Sequence, residues 1–146
     1  MLNHRTLIAC GCALTLSLAA CGVSTSSVKP AATMTSQDQV RITVSKFTRA
    51  VARGDGASAC ALMTPHLRSV TARVNASSGS CQSVVERLHA VLTSGDIHLL
   101  LGARVVDVQV TGVTAVAEVR SGAHSSPTRL RKLRGVWLMD LFAATG

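Results

Sequence analysis

The spacing of the apolar residues changes once along the chain, and that change bounds the folds open to it. From Ser36 to Gly95 they recur at helical intervals, whereas from Arg104 to Phe142 they alternate in Val-rich runs broken by glycine. Helices first and hairpins afterwards predict an α+β domain, with N-terminal helices packed on a curved, mostly four-stranded antiparallel sheet. No internal repeat offers a rival architecture.

In the helical half, Val40, Val44, Phe47 and Val51 form one stripe. Ser36 is the expected N-cap with Gln39 three residues on, and Gly54 closes this first helix. Asp55 is placed to cap a short second helix reaching Cys60, Leu62 and Met63. Thr64-Pro65 restarts the chain as N-cap and first helical residue, and Leu67, Val70 and Val74 give the third helix its apolar side. After a loop from Asn75, Ser80 caps a fourth helix bearing Val84, Val85, Leu88, Val91 and Leu92, and Gly95 is expected to end the helical half.

The second half reads as two hairpins. Arg104 to Val110 and Val113 to Arg120 are split by Thr111-Gly112. Alternation sets Val106, Val108 and Val110 on one face and Val105, Asp107 and Gln109 on the other. A loop with Gly122 and Pro127 is expected next. Thr128 to Leu133 and Val136 to Phe142 then pair around Arg134-Gly135.

The N-terminus carries an address. Arg5, with His4 beside it, precedes an uncharged apolar stretch from Leu7 to Ala20. As a helix this stretch spans about 21 Å, short of the roughly 30 Å hydrocarbon core, and it reads as a secretion signal. Leu18-Ala19-Ala20-Cys21 resembles the bacterial lipobox. The resemblance implies that Cys21 receives a diacylglyceryl group, becomes the mature N-terminus and carries palmitate-type acyl chains. A plain secretory signal with an incidental cysteine is the competing reading. Two chains suffice for anchoring without a transmembrane helix. The expected organisation is therefore a signal peptide at 1–20, a small, polar, flexible tether at 21–35 and one domain at 36–146. The expected location is the extracytoplasmic face of the cell membrane.

Of the five cysteines, Cys10 and Cys12 fall in the leader and Cys21 takes the lipid, which leaves Cys60 and Cys81. An even pair in an exported domain reads as a disulfide. A metal site or a nucleophilic thiol would compete, but neither cysteine stands in a Cys-x-x-Cys pair and no His-x-x-x-His accompanies them.

Composition excludes several function classes. Hydrophobic residues make up 47% of the chain and charged residues 15%, so a core is available. The aromatic residues are only Phe47, Trp137 and Phe142, with no tyrosine, which argues against stacking platforms for single-stranded nucleic acid or sugars. The formal net charge is +8, or +7 once Arg5 is removed with the leader. Arg129, Arg131, Lys132 and Arg134 concentrate it, with Arg120 adjoining. Such a patch attracts anionic lipid head groups, an acidic polymer or an acidic partner. The plainer reading is a solvated hairpin whose charges block edge-to-edge aggregation, because alternation splits these residues between two faces. The compartment and the lack of a recognition helix argue against nucleic acid.

Phe47 to Asp55, Ala59 to Pro65, Cys81, and Gly135-Val136-Trp137-Leu138-Met139-Asp140 carry a further resemblance. With helices followed by a four-stranded meander, the chain resembles small actinobacterial lipoproteins of the nuclear transport factor two-like superfamily, over Ser36 to Phe142. That resemblance implies a cystatin-like cone in which the sheet wraps the long helix and often leaves an apolar pocket. Some members are isomerases, cyclases or dehydratases, and many are not enzymes. Isomerase-type relatives use a carboxylate base and a tyrosine-rich oxyanion site, and the second cannot be carried over to a chain without tyrosine. Asp140, then Asp107, are the candidate acids, though the plainer and favoured reading of each is a strand-end carboxylate paired with a nearby arginine. His66, His89, His98 and His124 fall on helix, helix, strand edge and loop, unpaired as metal ligands. No Gly-x-Ser-x-Gly elbow or phosphate-binding glycine loop is present.

These readings assign no catalytic residue, metal or cofactor. They point to a lipid-anchored envelope protein with a binding or accessory role toward a small apolar ligand or an envelope protein. The alternative is an isomerase-, cyclase- or dehydratase-type enzyme acting inside the cone.

Overall fold

The computed structural model describes residues 33–74 and 79–140. The expected leader, Cys21, the tether as far as residue 32, and Phe142 lie outside them. Five helices come first: α1 (Ser36–Ala52), α2 (Gly56–Ala61), α3 (Pro65–Arg73), α4 (Cys81–Val91) and α5 (Ser94–Leu101). Four strands follow: β1 (Arg104–Thr111), β2 (Thr114–Ser121), β3 (His124–Leu133) and β4 (Val136–Met139). They form one open antiparallel sheet in the order β1-β2-β3-β4, and the α+β arrangement is the one expected.

Each helix opens on a side-chain oxygen that accepts an otherwise unpaired backbone N–H: Thr35, Asp55, Thr64, Ser80 and Thr93. The α1 box sits one residue earlier than expected, on Thr35 and Asp38 rather than Ser36 and Gln39. The short Asp38 carboxylate reaches back to the Thr35 N–H at 3.2 Å and its hydroxyl at 2.6 Å. The same Thr-x-x-Asp box, Thr93 with Asp96, starts α5, a helix the sequence reading missed. Gly95, expected to end the helical half, instead lies in the first turn of α5, where no orphaned carbonyl awaits capping.

These helix-start carboxylates make stability depend on acid. Hydrogen bonds from Thr35, Ser58 and Thr93 hold Asp38, Asp55 and Asp96, respectively, below the ordinary aspartate range. A lowered native pKa contributes stability that is complete above the unfolded value, near 3.9, and is lost as pH falls through the native one. Helical circular dichroism should therefore hold from pH 7 to about 4.5, with melting temperature declining below about 4.

The hairpin turns are two residues each, at Gly112-Val113, Gly122-Ala123 and Arg134-Gly135. Arg134 and Gly135 have φ of 50° and 83°, the pair of positive values that a type I′ hairpin needs. The expected Gly122–Pro127 loop is replaced by strand, since β3 begins at His124 and pairs Pro127 with Glu118. The Lys132 N–H bonds to the Val113 carbonyl, and alternation from that bond turns the Pro127 nitrogen away from β2. There β3 extends past the described part of β4, whose register pairing begins at Leu130, so among the described residues the missing donor costs no ladder bond. A register shift between Val105 and Asp107 overturns the expected valine alternation. Val105, Val108 and Val110 share the inner face, while Val106 is turned outward and is 43% exposed.

α1 packs on the inner face of the sheet, where Val40, Val44, Ala117, Leu130, Trp137 and Met139 are buried together. The same core continues through Ala59, Met63, Leu67 and Val85 into the space among α2, α3 and α4. There Cys60 and Cys81 stand at disulfide distance, with Cα atoms 6.2 Å apart. α2 and α4 meet closely: a Cβ on Gly56 would stand 2.5 Å from the Gln82 carbonyl oxygen. Gly56→Ala should therefore destabilise by about 1–3 kcal/mol, read as a lower urea midpoint with unchanged slope.

Both sheet edges are covered. Gln37 Nε2 donates to the Val108 carbonyl at 3.1 Å, and Arg41 Nη1 donates to that of Val105 at 2.8 Å. On the other edge, Met139 N–H bonds to Leu62 O and Thr64 N–H to Met139 O, at 2.7 and 2.8 Å. These contacts occupy backbone groups on both edge strands, β1 and β4.

Candidate functional site

Two surfaces compete as a site, the inner face under α1 and the outer face. The inner face is filled. Val40, Ala117 and Leu130 are 0% exposed and Trp137 is 2% exposed. The Trp137 Nε1 has no hydrogen-bond partner, while Lys132 Nζ stands 5.6 Å from the ring centroid. Lys132, one of the four residues of the expected basic patch, thus faces inward onto the core.

Both candidate acids project from the outer face, away from α1. Asp107 is paired in register with Glu118 and receives Gln109 Nε2 at 3.3 Å. Asp140 accepts from Thr64 Oγ1 at 3.0 Å and faces Arg131 Nε at 3.7 Å. Thr64 Oγ1 in turn accepts the Leu67 N–H that starts α3. Asp140 thereby fixes the hydroxyl that caps a helix and neutralises one arginine. This is the strand-end carboxylate paired with a nearby arginine, and Asp140→Ala should cost about 1 kcal/mol, measured by thermal unfolding.

The outer face carries two adjoining grooves. One, of about 430 Å³, is lined by Thr64, Pro65, His66, Arg129, Arg131 and Asp140. The other, of about 560 Å³, runs along Arg68, Leu133, Arg134, Val136 and Leu138, and Pro65 and Leu133 line both. Pro65, Leu133, Val136 and Leu138 give the lining an apolar part, and the arginines add guanidinium groups whose planar forks suit carboxylate or phosphate oxygens. Three of the four expected patch residues, Arg129, Arg131 and Arg134, are brought together here. Arg68 and His66 join them from α3. Sequence reasoning missed that pair because only the Leu62–Thr64 bridge to Met139 lays α3 beside β3.

The remaining histidines are dispersed. His98, expected at a strand edge, lies in α5, and His124, expected in a loop, opens β3. His89 on α4 packs over Gly54. Among the described residues, no three His, Cys, Asp or Glu side chains gather as metal ligands, and no helix is long and apolar enough to cross a membrane. Comparison with protein-family models, curated proteins and solved structures gives no match to this chain.

Proposed function

We propose that this chain is a cell-envelope lipoprotein, anchored through Cys21, whose domain has a non-catalytic accessory role exercised at its outer surface. The observation that carries the reading is the contrast between the two faces of the sheet. The inner face is closed by Val40, Leu130 and Trp137, while the outer one keeps an open, arginine-walled groove. The lipobox-like Leu18-Ala19-Ala20-Cys21 and a cysteine pair suited to an oxidising compartment support the location. A distant relationship to nuclear transport factor two-like lipoproteins is part of this proposal, supported by the order of helices and meander.

Cys21→Ala should move the protein out of the membrane fraction and remove a diacylglyceryl mass from the mature N-terminus. Membrane retention with an unmodified Cys21 in the wild type would refute the anchor. Native mass spectrometry of protein from its own host should show no small molecule held in the fold. A stoichiometric apolar ligand would return the function to the interior.

A further inference from the structure

Of the fifteen lysines and arginines, all but Arg5 and Lys29 lie in the described residues, and seven of those thirteen line three grooves that adjoin in series. A third groove, of about 450 Å³, is walled by Lys46, Arg49 and Arg53 at the end of α1. It shares Ala61 with the groove of Arg68 and Arg134, which itself adjoins that of Arg129 and Arg131. All seven cations are exposed. The two acids along this band are already engaged: Asp55 accepts the Ser58 N–H at 2.9 Å, and Asp140 holds Thr64 and Arg131. Among the described residues, Arg131–Asp140 is the one ion pair, so six of the seven cations form none, and only Arg53 has a carboxylate, Asp55, close enough to act on it. At the band's centre Val136 is 57% exposed, with Leu133 and Leu138 half-buried beside it.

We infer that this band is where the domain rests on an anionic phospholipid surface. The cations are spread over three shallow grooves instead of converging on one point, which matches a field of head groups better than a single acidic side chain. The exposed valine among them supplies an apolar contact at the acyl boundary. The length of chain before the domain also permits it. The fifteen positions from Cys21 to Ser36 span at most about 50 Å, and α1 is only about 25 Å long, so a lipid at Cys21 leaves the far end of α1 free to reach the same membrane. The inference depends on the proposed envelope location for its setting, but its test does not require acylation.

The test uses the full-length chain with Cys21→Ala, sedimented with vesicles of phosphatidylcholine alone or mixed with phosphatidylglycerol. The ratio of the two affinities cancels any contribution of the apolar leader. Each cation at an anionic surface contributes about fivefold, so combined Arg68→Gln, Arg129→Gln and Arg134→Gln should cut the preference for anionic vesicles about a hundredfold. Arg73→Gln, Arg87→Gln and Arg104→Gln, an equal charge loss away from the band, should cut it far less. Val136→Glu, a single exposed substitution, should also weaken anionic binding, and melting curves confirm that each variant is folded. Equal losses in the two triple variants, or no preference in the parent chain, overturn the inference. So does band-dependent binding to soluble polyglutamate without binding to vesicles, which would assign the surface to an acidic protein. Loss of the vesicle effect leaves the Cys21 result untouched, so the two proposals fail separately.

Discussion

Trp137→Ala should lower the unfolding free energy by about 3–5 kcal/mol, the largest effect of any single substitution considered for this domain. The ring is 2% exposed and lies between β4 and α1, where Leu130 and Val40 leave little freedom to collapse into the void. For a domain of about 100 residues, the melting temperature should fall by about 15–25 °C. Trp137→Phe should cost much less. Its Nε1 has no partner, so the smaller ring gives up volume but no hydrogen bond. Thermal melts followed by circular dichroism give both values, and an alanine variant within about 3 °C of wild type would place the ring outside the core.

Joint replacement of Cys60 and Cys81 by alanine should cost about 3 kcal/mol in the chain-entropy account of a cross-link closing a 21-residue separation. The loop so closed contains all of α3 and its approach to α4. The two sulfurs sit in a buried pocket, with Met63 Sδ 3.6 Å from Cys81 Sγ. A reductant should lower the wild-type melting temperature to near that of the double variant and leave the variant unmoved. A wild type indifferent to reductant would show that the cysteines are not bonded in the protein as isolated.

Local signals carried most of the fold. Asp55, Thr64-Pro65 and Ser80 start helices where the sequence places them, because a cap is a contact between residues three apart and needs no tertiary information. Arg134-Gly135 turns a hairpin for the same reason. The misses arose where a long-range contact overrode a local rule. Pro127 reads as a loop until one sees that its nitrogen faces away from β2. The valine alternation in β1 fails because the register shift near Val106 adjusts the strand to its partner, which periodicity cannot report. The site was legible only in part. Arg129, Arg131 and Arg134 are sequence neighbours, but Arg68, Lys46, Arg49 and Arg53 join their band through the packing of three helices against the strand pair.

The backbone bridge between Leu62–Thr64 and Met139 has a consequence for the order of synthesis. The segment linking α2 to α3 emerges before any strand, yet its partner β4 is the last element to follow it, and Trp137 comes with it. Until then the helices lack the backbone bonds to Met139 and the largest buried side chain of the core. Completion of the fold must await the emergence of β4, which follows every other element in chain order.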